Sequence, residues 1–228
     1  MNRTNLLIGI LSLVFASCAN EQPQTDYTGF VDKQIFLVGM DSHYDEKDTI
    51  AILSMKIPQR LDTFYKWYHN SCNAAVSDVK YRFADKRYPQ FAESGFYWTI
   101  EPDSVYQFNI WHKPLQRTVD SIGMSELAIK DSSYYYNMYG SLFNAMGERV
   151  LLDQKSFKTI NGKNFFVISY RTPFGYLTVK ETRNVIAVTN LNDRQLNFIG
   201  ECSGKDTSNF ILNMYKTIES IRIEERIR

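Results

Sequence analysis

Apolar and polar residues alternate over much of the chain beyond residue 30, and this period of two is typical of β-strands with one buried face. Short apolar runs predict two early strands, the second of which stops at Pro58. After Gly147 the alternation is regular enough to predict a meander. The predicted strands cover 35–38, 49–57, 96–100, 105–112, 150–159, 164–171, 176–181, 185–190 and 195–202.

The clearest turn signal lies between the predicted strands 150–159 and 164–171, where Asn161 and Gly162 stand at the centre. Asn-Gly between two alternating segments is the strongest short-range signal for a two-residue hairpin, because both residues tolerate a positive φ. The sequence therefore predicts an antiparallel hairpin at this point.

Two segments have the apolar spacing of helices. Residues 121–145 carry an imperfect apolar stripe, and residues 207–219 carry a cleaner one that any of residues 206–208 could cap. A short strand is predicted over 220–223, and residues 224–226 are expected to form a solvated tail.

Residues 59–96 carry two patterns at once. Aromatic residues between Leu61 and Tyr68 favour an extended segment, whereas a helix running on through Ala75 and Val79 is the alternative. We favour the extended segment, followed by an irregular loop up to residue 96.

These elements predict a single α+β domain over 30–228, a mainly antiparallel sheet packed with two or more helices. Their order resembles the PsbP/Mog1-like fold, including the DcrB-like envelope lipoproteins. In that family an early strand ends in Ile-Pro, as at Ile57 and Pro58 here, and a late helix precedes a terminal strand that starts with Ser, as Ser220 does. The resemblance implies an accessory or assembly role, and no catalytic residues carry over from it.

The beginning of the chain has the layout of an export signal. One positive charge at Arg3 precedes a nine-residue apolar run that starts at Leu6, and Ala-Ser then precedes Cys18. The run is too short to span a bilayer, which takes about 20 apolar residues, but it suits a signal peptide. This stretch resembles a lipoprotein lipobox, in which the signal is cut just before a cysteine that carries lipid. The resemblance implies a signal peptide over 1–17 and a bilayer anchor at acylated Cys18.

An ordinary secretory signal cut near Ala16 or Ala19 is the alternative. In the lipoprotein interpretation, residues 18–29 form a polar, flexible tether to the domain. Because Ala19 rather than Asp follows the cysteine, the resemblance implies the outer membrane as destination in a bacterial cell envelope.

Charge and aromatic content limit the classes of partner that the chain is expected to bind. The chain has 26 Lys+Arg and 25 Asp+Glu, and the loss of Arg3 with the leader would make the two numbers equal. A neutral chain gives no electrostatic footprint for nucleic acid. Most of the 15 Tyr and 15 Phe are expected at half-buried sheet positions. Four tyrosines crowd six positions and cannot all face one core, so they are candidates for a partner-binding patch: Tyr134, Tyr135, Tyr136 and Tyr139.

Two cysteines remain once Cys18 is assigned to lipid. Cys72 and Cys202 could form a disulfide in an oxidising envelope, and two thiols, one of them buried, are the equally weighted alternative. Sequence does not reveal whether the two Cα atoms lie close enough for a bridge.

Motifs for catalysis and metal binding are incomplete. The acidic loop around His43 lacks the pattern of a calcium-binding loop, and the spacing of His69 and Cys72 lacks a second ligand pair. His112 has no histidine four residues away. Residues 77–80 match Ser-x-x-Lys without its companion motifs. We therefore predict no catalytic set, no metal site and no cofactor.

Two classes of function remain open. The favoured one is a non-catalytic envelope lipoprotein that binds another protein or supports an assembly, with an immunity or protective lipoprotein as a narrower version. The alternative is an envelope hydrolase without a recognisable motif, built near His69, His112 and carboxylates, since catalytic sites are assembled in space rather than along the sequence.

The anchor can be tested directly. Replacing Cys18 by Ala removes the only acceptor for lipid in the lipobox interpretation, and stable attachment needs more than one acyl chain. The Cys18→Ala variant is expected to leave the membrane fraction on cell fractionation. A variant that stays bound to the membrane would contradict the lipobox interpretation.

Overall fold

The computed structural model describes residues 25–40, 46–70, 77–87, 105–114, 151–172, 181–191, 194–203 and 209–226. These residues form ten strands and a helix. The strands are β1 (Phe30–Met40), β2 (Glu46–Pro58), β3 (Thr63–Asn70), β4 (Ser77–Ala84), β5 (Val105–Pro114), β6 (Leu151–Ile160), β7 (Lys163–Thr172), β8 (Thr182–Leu191), β9 (Arg194–Ser203) and β10 (Arg222–Glu225), and the helix is α1 (Phe210–Glu219).

The strands make two sheets. The three-stranded sheet has the order β1-β2-β10, and the seven-stranded sheet has the order β3-β4-β5-β9-β8-β7-β6. Every neighbouring pair is antiparallel. The prediction of a mainly antiparallel α+β domain is therefore confirmed. The expectation of two or more helices is not, because the described ranges contain the single helix α1, and 121–145 lies outside them.

The predicted hairpin is present. Ile160 pairs with Lys163, and the two turn residues have positive φ angles of 47° at Asn161 and 82° at Gly162. Both angles are those of a type I′ turn, whose twist matches that of the flanking strands. The Asn161 side-chain amide also donates to the carbonyl of Ile221 at 2.7 Å. The turn is thereby attached to the segment between α1 and β10.

The largest correction concerns residues 77–84, which we expected in an irregular loop. They form β4, which pairs with β3 on one side and β5 on the other. The helix alternative through Val79 is wrong for the same reason. Residues 77–80 therefore lie on a strand, where positions three apart fall on opposite faces, and not on a helix turn.

Smaller corrections affect the last elements. α1 begins after Asn209, which has a φ of 58° and makes no side-chain capping bond, so the cap is not at residues 206–208. Glu224 and Glu225 belong to β10 and are not a free tail. The predicted strand at 96–100 lies outside the described residues, as does all of the predicted strand at 176–181 except its last residue. Among those described, no helix has the length and apolarity needed to span a membrane.

The main core lies between the two sheets and α1. It contains side chains from β2 such as Leu53 and Ile57, from the middle of the larger sheet such as Phe108 and Phe198, and from α1, all almost inaccessible to solvent. Burial of such a side chain stabilises a fold by about 1.5–3 kcal/mol. The α1 residues on this face are Phe210, Met214 and Ile218, the stripe that the sequence predicted.

Gly200 on β9 allows α1 to approach the sheet closely. A Cβ at this position would lie 2.6 Å from the sulfur of Met214, 2.7 Å from its Cγ and 3.3 Å from Phe210 Cζ. The first two separations are shorter than van der Waals contact, so any side chain here would have to displace Met214. Glycine is therefore favoured at this position by space rather than by backbone angle.

Replacing Gly200 by Ala is expected to lower the free energy of unfolding by about 1–3 kcal/mol, the usual cost of overpacking a core. In a Met214→Ala background the clashing atoms are absent, so the same replacement should cost much less, and the difference measures the coupling. Urea unfolding of the four proteins supplies the comparison. An equal cost in both backgrounds would contradict the assigned contact.

Candidate functional site

The most exposed aromatic side chain described on the smaller sheet is Phe36. It lies on β1 between buried Ile35 and Leu37, so strand alternation turns its ring outward, and 51% of the residue is accessible. The Phe36 carbonyl accepts a hydrogen bond from the hydroxyl of Tyr81 on β4 at 3.4 Å. This bond ties an outer strand of one sheet to the other sheet.

Phe64 contacts the ring of Tyr81. It is on β3, an outer strand of the larger sheet, and 49% of it is accessible. Its ring stacks on Tyr81 at 6.2 Å between centroids and contacts Phe83 at 4.9 Å. We call Phe36, Tyr81 and Phe64 the aromatic seam. The Phe64 ring is supported by the buried Tyr81 ring, whereas Phe36 is joined to Tyr81 through its backbone carbonyl. Half-exposed aromatic rings of this kind are side chains that partner proteins cover.

Other exposed apolar side chains lie apart from the aromatic seam. Leu151, Leu152 and Phe157 are on β6, at the opposite edge of the larger sheet, and Leu212 is on the solvent face of α1. Phe157 contacts buried Phe166 at 5.1 Å, so it extends a small second apolar cluster on the outer face of that sheet. Leu212 belongs to neither cluster and serves as a reference position.

A buried carboxylate organises the end of β4. Asp85 is 2% accessible and accepts hydrogen bonds from two guanidinium groups, those of Arg60 at 3.0 and 3.1 Å and of Arg87 at 2.6 to 3.1 Å. The Arg60 guanidinium also lies 3.6 Å from the centre of the Tyr106 ring. Next to this group, Asp62 pairs with Lys86 at 3.3 Å.

The surroundings of Asp85 decide its charge. Burial alone would raise the pKa of this carboxyl, but hydrogen bonds from Arg87 and Arg60, together with the charge of Arg60, outweigh burial and hold its pKa below the ordinary value of 3.8. Asp85 is thus an ionised counter-ion whose oxygens are occupied. Its role is to fix the β2–β3 connection against β4, and it is poorly suited to act as a general base.

A third feature is the point at which the chain enters the domain. Residues 26–30, which we call the N-terminal clip, lie against α1 and the end of β2. The Lys216 ammonium donates to the Asp26 carbonyl at 2.6 Å, and the backbone N–H of Gln59 donates to the Gly29 carbonyl at 2.8 Å. Tyr27 packs edge-on against Phe30 at 5.6 Å. The last part of the predicted tether is therefore attached to the domain.

Electrostatic contacts reinforce the N-terminal clip. The Lys56 ammonium lies 5.5 Å from the centre of the Tyr27 ring, and the Tyr27 hydroxyl donates to the Lys216 carbonyl at 3.5 Å. Partial burial raises the pKa of Tyr27, so its hydroxyl keeps its proton. The Asp26 carboxylate accepts from the side chain and backbone of Thr28, which closes a local turn.

The structure describes part of the residues that the sequence singled out. Cys202 is buried on β9, paired in register with Tyr106 and Arg183. Cys72 lies outside the described residues, so the disulfide stays a prediction. The same holds for lipidation at Cys18, for the loop at His43, and for the tyrosine patch at 134–139.

The two histidines of the hydrolase hypothesis lie on strands that flank β4. His69 pairs in register with Asp78, whereas His112 pairs with Val79. They therefore occupy adjacent rows of the sheet and not one row. Within the described ranges, no group of three or more His, Cys, Asp and Glu residues could hold a metal ion.

Sequence reasoning missed the aromatic seam, the Asp85 cluster and the N-terminal clip. Phe36 lies in a uniformly apolar run, which predicts a strand but hides which face is buried. An aromatic residue in a polar segment, such as Tyr27 after residues 19–26, is the signal that could have suggested docking. Asp85 stands beside Lys86 and Arg87, a pattern that is usually a solvated surface.

No protein-family model matches the chain, and no curated protein matches it. Among solved structures, the chain is similar to the solution structure of cyanobacterial PsbP (CyanoP) from Synechocystis sp. PCC 6803. The sequence identity is 11% and the TM-score is 0.43, over 91% of this chain and 97% of that one.

Asp85→Asn tests the ion cluster. Because folding lowers the pKa of Asp85, its carboxylate contributes stability that is present above the pKa of the unfolded state and is lost as the pH falls through the folded-state pKa. The variant is expected to lose about 1–3 kcal/mol of unfolding free energy at neutral pH, with the gap to wild type narrowing below about pH 4.

Urea unfolding from neutral pH to below about pH 4 measures this loss of stability. Asp32→Asn is the matched control. The Asp32 side chain is 83% accessible and pairs with Lys56 at the surface, so its replacement should change stability by less than about 1 kcal/mol. A pH-independent gap for Asp85→Asn, or an equal effect of both variants, would contradict the role given to the cluster.

Proposed function

We propose that this chain is a bacterial envelope lipoprotein, anchored in the outer membrane through acylated Cys18, that acts as a non-catalytic binding, accessory or assembly factor. The anchor is supported by the leader, with its short apolar run and Ala-Ser before Cys18. The binding role is supported by the aromatic seam, and this is the observation that carries the functional proposal.

The aromatic seam has the chemistry of a protein contact. Phe36 and Phe64 each expose about half of their surface, while Tyr81, which stacks on Phe64 and bonds to the Phe36 carbonyl, is buried. Aromatic rings are enriched in the centres of protein interfaces, where they bury a large area with few rotatable bonds. Both residues lie on strands that pair with a neighbouring strand, β1 with β2 and β3 with β4, which fixes their backbone positions. A partner protein could therefore cover them with little ordering cost.

Element order supports the finer part of the proposal, a PsbP/Mog1-like domain similar to the DcrB-like lipoproteins. β2 ends at Pro58, directly after Ile57, and the late helix α1 is followed by Ser220 and β10. The Ser220 hydroxyl accepts from the backbone N–H of Lys56 at 2.8 Å, which fixes the terminal strand beside β2. Accessory and assembly roles are what this resemblance implies.

The test is recovery of a crosslinked partner from intact envelopes, with the partner identified by mass spectrometry. Phe36→Ser combined with Phe64→Ser is expected to abolish recovery, because a hot-spot aromatic typically contributes about 2 kcal/mol or more to binding. Leu212→Ser is the matched control, since it removes an equally exposed apolar side chain elsewhere and should leave recovery unchanged.

A parallel variant replaces Tyr134, Tyr135, Tyr136 and Tyr139 by Ser. Loss of the partner in this variant alone would transfer the binding site from the aromatic seam to the tyrosine patch. Unchanged recovery in both variants, each shown to be folded by circular dichroism, would contradict a binding role for either surface. Recovery of no partner by the wild type would contradict the functional proposal itself.

A further inference from the structure

The N-terminal clip limits how the domain can sit on a membrane. If Cys18 is the anchor, eight steps along the chain separate it from Asp26. In any conformation these span at most about 29 Å, since a residue reaches at most about 3.6 Å. A tether free up to Phe30 would add about 14 Å to this limit. Docking of residues 26–29 thus keeps the clip close to the bilayer.

The size of the domain makes this limit important. A folded unit of this length has a diameter of about 40 Å, which exceeds the reach of the chain before the clip. If the opposite side of the domain faced the bilayer, the clip would lie farther from the membrane than the chain before it can reach. Because the chain enters the domain at the clip, the tether allows only a restricted set of orientations of the domain relative to the bilayer.

The antiparallel pair of β1 and β2, which we call the β1–β2 ribbon, has a charge distribution that also influences the orientation of the domain on the bilayer. At the clip end, cations and carboxylates are about equal in number and paired, as in Lys56 with Asp32 and Arg60 with Asp85. At the other end, β2 begins with two acidic residues and one lysine, Glu46, Lys47 and Asp48. β1 has 11 residues, so the two ends lie about 33 Å apart. An anionic headgroup surface repels the acidic end more strongly than the clip end.

We infer that the N-terminal clip is an orienting contact, which turns the end of the domain formed by the clip, Lys56 and Gln59 toward the phospholipid headgroups and the acidic end of the β1–β2 ribbon away from them. This inference rests on the proposed anchor at Cys18. Phe36 lies six residues along β1 from Phe30 and is thus held about 20 Å farther along the ribbon. The aromatic seam is then presented to the side, to a partner that is itself close to the membrane.

Energy transfer from the domain to the bilayer measures this orientation. An azide-bearing amino acid replaces Gln59, beside the clip, or Thr49, near the far end of β2, and is coupled to a donor dye. The lipidated full-length protein is placed in vesicles of phosphatidylethanolamine and phosphatidylglycerol with acceptor dyes on the headgroups. With a transfer distance shorter than the ribbon, transfer from position 59 should exceed that from position 49 severalfold.

Two variants separate the effect of the short tether from the effect of the docked clip on the orientation. An insertion of Gly-Ser repeats after Ala19, longer than the diameter of the domain, should remove most of the difference between the two positions. Tyr27→Ala, which releases the clip while leaving the core intact, should reduce that difference in part. Equal transfer from both positions in the wild-type protein, or a difference that the insertion leaves unchanged, would overturn the orienting role.

Vesicle flotation distinguishes this failure from failure of the anchor. A protein that floats with the vesicles but shows equal transfer overturns the orientation and leaves the proposed lipoprotein intact. A protein that does not float overturns the anchor, and the orientation with it.

Discussion

The packing of two antiparallel sheets across one apolar core, closed on one side by α1, is the interaction on which the other features depend. Phe108 and Phe198 from the larger sheet meet Leu53 and Ile57 from the smaller one in this core. α1 fits because Gly200 leaves room for Met214. The close approach of the sheets also brings the β1 backbone within reach of Tyr81, which creates the aromatic seam. The candidate surface is thus a by-product of core packing.

Polar interactions lie at the edges of this two-sheet core. Arg60 and Arg87 surround Asp85 at the end of β4, and Lys216 joins the entering chain to α1. Buried ion pairs contribute little net free energy compared with apolar packing, but removal of one partner is costly. Such contacts therefore define where connections lie rather than whether the domain folds. The N-terminal clip is the clearest case, because it converts part of a polar linker into a fixed element.

Local patterns predicted much of the fold. The Asn161-Gly162 turn, the strands on both sides of it and the apolar face of α1 depend on residues close in sequence, and all are present. β4 was missed because Arg82 and Lys80 interrupt its apolar pattern. Arg82 is nevertheless buried, since its guanidinium donates to the Asn109 side chain at 2.8 Å. A partner on the next strand is invisible to local periodicity. The contacts of the clip likewise join residues far apart in sequence, such as Tyr27 and Lys216, which are 189 positions apart.

The direction of β10 determines where the last described residues of the chain point. β10 runs antiparallel to β2, from Arg222 opposite Ser54 to Glu225 opposite Ala51, and Arg226 then bonds to Ile50. At Arg226 the chain is thus heading away from the end of the domain at which β1 begins. A fluorescent protein or affinity tag placed directly after Arg226 would start near Ile50, toward the end of the ribbon at which β2 begins. Such a fusion would leave the N-terminal clip unobstructed, whereas a tag inserted ahead of residue 26 would not.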